Sequence, residues 1–417
     1  QNKIDDALKT YSVIENKFGK SLELTRQKQQ LLLRSNKIDD AIKEGESLIK
    51  AYPDEIDYKI AQAEFLYTNG KNEEAIGLLK EVEKNDPGNL SVHLHLANIY
   101  EVQNLNDKAF AELLLAFNDP ALDIDTRSKS MEDVIKDATT PDLQAQAEQL
   151  AKLTVLYYPS EAKGYDVLGA VYLKMNKNTE ALTALKKALH YKAGDYSNWV
   201  EILNLEYALH QNDSLIADTD RALELFPNQA AIWYYGGMGH YMKKEYVKTI
   251  KYLEQAKKLS TSQPEVKIMA LCLLGDTYHE TKDYPKSDES YEEVLKLDRN
   301  NDHALNNYSY FLSLRKEKLE LALDLSERLM KKYPGNPSYI DTYGWVLYQM
   351  KDYENAKKHL EIAMSTSKKG VIVEHYGDVL YKLGEKTEAI AAWKEAKELG
   401  GTSEFINKKI SEGKLYE

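Results

Sequence analysis

The side chains that could do chemistry in this chain are histidines, carboxylates and tyrosines, and their spacing suits binding better than catalysis. His93 and His95 stand two apart, so on a helix they face different ways and cannot share a metal. No His-Glu-x-x-His run occurs. Glu374 and His375 are adjacent, but no Ser or Cys nucleophile falls in a matching register. The string Tyr-Tyr-Gly-Gly-Met-Gly-His-Tyr at 234–241 has the glycine density of a phosphate loop. It follows no strand-like run, and close helix packing accounts for it. Acidic pairs such as Asp5/Asp6 and Glu73/Glu74 fall where helices begin, where they favour the N-terminal dipole. These residues predict no catalytic group, no metal and no cofactor.

The elements that must position the remaining candidates are helices. Hydrophobic residues make up 43% of the 417-residue chain, enough for a core. The net charge of −12 argues against nucleic acid and against an electrostatic hold on anionic lipid. Cys272 is the single cysteine, so neither an internal disulfide nor a Cys-based zinc site can form. No apolar run approaches the roughly 18 residues of a membrane span, and none of these residues is expected to form a signal peptide.

Pro53 and Pro87 lie 34 residues apart, each closing a helix-like run. A small or slim residue opens one helix of every unit: Ala7, Ala41, Ala75, Ala109, Ala147, Ala181, Leu215, Thr249, Ser287, Ala322, Ala356 and Ala389. Most gaps are 33–35 residues, and two are 38. Twelve second helices follow, eleven of them preceded by a first helix.

This period, with Leu168, Gly169, Tyr172, Ala181 and Ala188 in the clearest unit, resembles the tetratricopeptide repeat. Leu274, Gly275 and Tyr278 fill the same slots, as do Gly344, Leu347, Ala356 and Ala363, then Gly377, Leu380, Ala389, Trp393 and Ala396. The resemblance implies an all-α fold: a right-handed superhelix of about twelve helix-turn-helix units, the first lacking its first helix. Glycine and alanine at these slots let the helices cross at 8–10 Å. We expect one continuous solenoid, with N-terminal units over 1–121, an irregular unit over 122–160, C-terminal units over 161–401 and a capping helix over 402–417. Phe405, Ile406 and Ile410 are the expected anchors of that cap. The chain opens on a second helix, so a partner helix upstream is expected to have been removed.

In such arrays the first helices line a concave groove. Here the inward slots hold Tyr207, Tyr234, Tyr241, Asp276, Tyr310, Asp341, Trp345, Tyr348, Glu374, Asp378 and Tyr381. Aromatic and acidic together, they imply a protein or peptide partner presenting basic or amide groups beside apolar anchors. The Lys/Asn/Lys/Arg clamp for C-terminal carboxylates is not met, since Lys163 stands alone and Val167 replaces an Arg. The C-terminal units also resemble bacterial envelope lipoproteins with these repeats. That implies a scaffold or adaptor in the periplasm, presenting a protease or other enzyme to clients, with membrane contact only through an upstream lipid anchor. The alternative is a cytoplasmic assembly scaffold without an anchor.

Overall fold

The computed structural model describes residues 2–416, of which 79% is helical, with no strand among the described residues. The chain divides into two compact units, Gln1–Asn198 and Trp199–Glu417. In the first, α1 (Asn2–Phe18) is followed by the pairs α2 (Leu22–Arg34) and α3 (Ile38–Ala51), α4 (Ile56–Thr68) and α5 (Asn72–Asn85), and α6 (Leu90–Val102) and α7 (Asn106–Phe117). Then come α8 (Ile124–Asp137) and α9 (Pro141–Tyr157), and α10 (Ala162–Lys174) and α11 (Asn178–Tyr191). The unit boundary falls within α12 (Tyr196–Ala208), not at either 38-residue interval.

The second unit continues with α13 (Asn212–Leu225), then α14 (Ala230–Met242) and α15 (Tyr246–Leu259), α16 (Pro264–Glu280) and α17 (Tyr284–Leu297), and α18 (Asp302–Arg315) and α19 (Leu319–Lys332). It closes with α20 (Pro337–Gln349) and α21 (Tyr353–Thr366), α22 (Gly370–Leu383) and α23 (Lys386–Leu399), and the short α24 (Ile406–Glu412). The even-numbered helices α2–α22 are the first helices, and the odd-numbered ones the second helices.

The turn inside most pairs has one device. The residue closing the first helix adopts left-handed φ, as at Asn36, Gly70, Asn104, Asn176, His210 and Lys244. A single such residue reverses the chain and satisfies the last carbonyls. The pair α8/α9 lacks it: Ala138 stays at φ −70°, and Thr140 caps α9 ahead of Pro141. Its core is also distinctive. Arg127 is fully buried and donates to the Leu122, Phe117 and Asp119 carbonyls at 2.9, 2.7 and 2.7 Å. Its guanidinium lies over the Phe117, Tyr157 and Tyr158 rings. A planar cation among carbonyls and rings is added here to the small-residue packing, in which Ala147 of α9 is fully buried.

Elsewhere that packing is as the spacing predicts. Ala41, Ala75, Ala147, Ala181, Leu215, Thr249, Ser287, Ala322, Ala356 and Ala389 are all fully buried. Gly275 admits the Tyr291 ring so closely that a Cβ there would lie 2.7 Å from Tyr291 Cζ. Gly377 admits Trp393 equally closely, at 2.6 Å from Cδ1.

Candidate functional site

First helices of the second unit touch one another directly, α14 to α16, α16 to α18, α18 to α20 and α20 to α22. Their shared face carries two cavities, and no second-helix side chain lines either one. A cavity of about 410 Å³ lies between α12, α14, α16 and the start of α18. Tyr207, Tyr234, Met238, Tyr241, Met242, Met269, Cys272 and Asp276 line it, with Asn301 and His303 at one end. A second cavity, about 580 Å³, is bounded by α18, α20, α22 and residues 401–416. Tyr310, Trp345, Glu374, His375, Asp378 and Lys409 are among its walls.

Of the eleven inward residues named from the sequence, the first cavity gathers Tyr207, Tyr234, Tyr241 and Asp276, and the second Tyr310, Trp345, Glu374 and Asp378. Asp341, Tyr348 and Tyr381 line neither. Asp341 and Tyr348 are buried, and Tyr381 stacks on Trp393 with centroids 5.7 Å apart. Trp345 is only 6% exposed. It is stacked with His375 at 4.0 Å and with Tyr348 at 4.5 Å, so its truncation would disturb packing as well as any ligand.

The carboxylates correct the expectation that they await a partner's basic groups. Each is buried and engaged within the chain. Asp276 accepts from the Tyr291 hydroxyl and from Asn307 at 2.9 Å, and pairs with His303 at 2.8 Å. Asp341 pairs with His375 Nδ1 at 2.8 Å. Asp378 accepts from Trp393 Nε1 at 2.8 Å and from Lys409 at 2.7 Å. Glu374 accepts from the Ser403 backbone N–H at 2.7 Å and from Lys409 at 2.9 Å. In every case a partner comes from the next first helix or from the C-terminal segment that follows the last one. Thr342 donating to Asn306 at 2.9 Å continues the pattern with neutral groups. The acidic stripe therefore ties neighbouring repeats together.

The electrostatics follow from burial and these partners. Burial works against charge on Asp276, but His303, Tyr291 and Asn307 outweigh it and hold its pKa below the usual value. Glu374 is likewise held low by Ser403 and Lys409 against the cost of burial. Burial pushes Asp378 up to about 6 despite Lys409. For His375 burial opposes charge, and Asp341 overcomes it to raise the pKa. Burial pushes the Cys272 thiol up to about 12, which leaves it a poor nucleophile.

Two other candidates resolve differently. The glycine-rich string 234–241 lies inside α14, where Gly236 and Gly237 face the Tyr252 and Leu253 side chains. Glu83, His93 and Glu112 bring ligand atoms within 4.8 Å of one another, a grouping the His93/His95 comparison missed. Lys80 Nζ sits 2.8 Å from both carboxylates, and His93 is bonded to Glu112 at 2.7 Å and to the Pro87 carbonyl at 2.9 Å. The lysine supplies the cation there. His303, Met269 and Lys409 were also missed. The first two sit at the edge of a groove slot, and Lys409 lies in a segment expected to dock through apolar residues alone. No helix among the described residues is long and apolar enough to cross a membrane.

Family models described as tetratricopeptide repeat match residues 30–90, 60–122 and 270–301. A curated relative, the TPR repeat-containing protein MJ1428 of Methanocaldococcus jannaschii, is 21% identical over 281 residues, covering 56% of this chain and 49% of that protein. The chain thus spans about half the length of that relative. Among solved structures, a tetratricopeptide repeat protein from Parabacteroides merdae is 14% identical with a TM-score of 0.49, covering 61% of this chain and 99% of that one. Yeast Tom70 is 15% identical with a TM-score of 0.42, covering 93% and 94%. Matched segments agree with the paired helices found there: the chain carries tetratricopeptide repeats at 30–122 and 270–301.

Proposed function

We propose that the chain is a non-catalytic interaction scaffold that binds a partner protein or extended peptide on the first-helix face of its second unit. The observation that carries this is the 410 Å³ cavity, whose lining includes three tyrosines and three methionines of first helices and no second-helix residue. Tyr207, Met242 and Met269 are between 37% and 43% exposed at its rim, an apolar cluster that solvent alone does not favour. Aromatic and methionine side chains of this kind are enriched in protein interfaces. The fold supports the same role, because stacked repeats present long continuous surfaces.

The test is affinity capture with the intact chain as bait, followed by identification of what is retained. Tyr241→Ala should lose the retained partner, and Lys251→Ala on the second helix α15 should keep it. Equal retention by both variants, or loss only with Lys251→Ala, would contradict the proposal. The narrower role, presenting an envelope protease or other enzyme to its clients from the periplasm, is supported by the resemblance of the C-terminal units. Cell fractionation tests it, and a purely cytoplasmic protein would exclude it.

A further inference from the structure

We infer that the cavity between α12, α14 and α16 takes a neutral, extended polypeptide segment, seating one bulky apolar side chain while Tyr234 and Tyr241 donate to its backbone carbonyls. This deepens the proposal above and rests on it.

The first observation concerns the phenols. Some buried or half-buried tyrosines of this unit are paired, Tyr278 with Glu254 at 3.1 Å, Tyr308 with Glu292 at 3.0 Å and Tyr376 with Glu361 at 2.9 Å, and others, such as Tyr310, are not. Tyr234 and Tyr241 line the cavity and donate to no group among the described residues. Burial pushes both phenols well above their usual pKa, so both keep their proton and can only gain by meeting an acceptor. Both rings are half-buried, so each hydroxyl is a donor open to the cavity, where a ligand carbonyl can replace water.

The second observation is charge. Asp276 is the one carboxylate in the lining, and its oxygens already take Tyr291, Asn307 and His303. A lysine brought into this cavity would find no free counter-charge and would lose its hydration. An apolar side chain loses nothing of the kind, and methionine walls adapt to its shape.

The third is spacing. Tyr234 and Tyr241 sit two turns apart on α14, which sets their Cα atoms about 10.5 Å apart along the axis at 1.5 Å per residue. An extended polyproline-type chain returns a carbonyl to the same side every three residues, about 9.3 Å. A backbone running along α14 can thus offer one acceptor to each phenol with the apolar side chain between them.

The test uses a phage-displayed library of random twelve-residue peptides selected on the intact chain, with the winning peptide then synthesised. The expected consensus is a Phe, Leu or Met flanked by neutral residues. Tyr234→Phe and Tyr241→Phe should each weaken that peptide about three- to tenfold, one hydrogen bond apiece, with the thermal midpoint unmoved. Met269→Lys, at the exposed rim, should weaken it about tenfold without touching the core. A consensus that requires Lys or Arg overturns the inference, as does no enrichment, or a winner indifferent to all three substitutions. If a captured partner depends on Tyr241→Ala while both Tyr→Phe variants bind it normally, this inference fails and the scaffold proposal stands. If capture is also indifferent to Tyr241→Ala, both fall.

Discussion

Trp393 donates its indole N–H to Asp378 at 2.8 Å, and Lys409 Nζ lies 2.7 Å from both oxygens of the same carboxylate. The ring reaches that position because Gly377 leaves no Cβ in its way. The same arrangement stands at Gly275, Tyr291 and Asp276, where the next first helix supplies His303 and Asn307 in place of the lysine. A glycine-aspartate step thus does two jobs. It accepts a ring from its own second helix and ties down whatever element stacks next.

Lys409→Met should therefore cost much more than a surface lysine would. It would leave Glu374 and Asp378 buried without their cation, a change worth about 3–5 kcal/mol locally. Hydrogen exchange should show amides of α22 and residues 401–416 losing protection, with α14 and α16 unaffected. A change under about 1 kcal/mol would mean the pair behaves as an exposed salt bridge.

Gly275→Ala should destabilise the second unit by about 1–3 kcal/mol through overpacking against Tyr291. The double variant Gly275→Ala/Tyr291→Leu should recover part of the loss, because the ring is what the methyl meets. Urea titrations of the three proteins decide this, and equal losses in the single and double variants would count against the packing account.

Arg127→Met should destabilise the irregular pair, by about 3 kcal/mol, since the Phe117 carbonyl loses its guanidinium donor and the Leu122 and Asp119 carbonyls keep only the Tyr158 hydroxyl and the Leu122 N–H. Protection should fall at the end of α7 and through α8. Unchanged exchange there would show that the rings alone hold the segment.

The cluster around α22 sets a pH dependence whose direction follows from its shifts. Asp378 has a folded pKa near 6, above the unfolded value of about 3.9, so its ionisation opposes folding as pH rises. His375 is raised as well, so its contribution is full below about 6.5 and is lost as pH rises through its folded value. Glu374 is lowered, so its contribution is present above about 4.3 and is lost on further acidification. Protection of α22 and α24, corrected for intrinsic exchange, should rise from pH ~8 to ~5.5 and fall again below ~4. A monotonic profile would contradict these assignments.

The fold was legible because its signal is periodic. One small residue per repeat gave the register of every second helix, and the prolines gave their ends. The face on which Tyr234, Tyr241 and Asp276 lie was legible for the same reason. What each side chain meets was not. A slot says which way a residue points, but Asp341 finds His375 34 residues later, and Glu374 finds Lys409 35 residues later. Arg127 could not be read either, because its three carbonyl partners carry no side-chain signature. Hence the carboxylates looked available when they are tethers, while Tyr234 and Tyr241 beside them donate to no group among the described residues.

The most direct measurement is site-specific photo-crosslinking in cells with a benzophenone amino acid at Met242, Met269 or Val247. Met242 and Met269 stand at the rim of the α12–α14–α16 cavity, while Val247 is 83% exposed on the second helix α15. The account predicts a discrete adduct from both methionine positions and none from Val247. An adduct from Val247 alone would place the partner on the other helix layer and contradict the central claim.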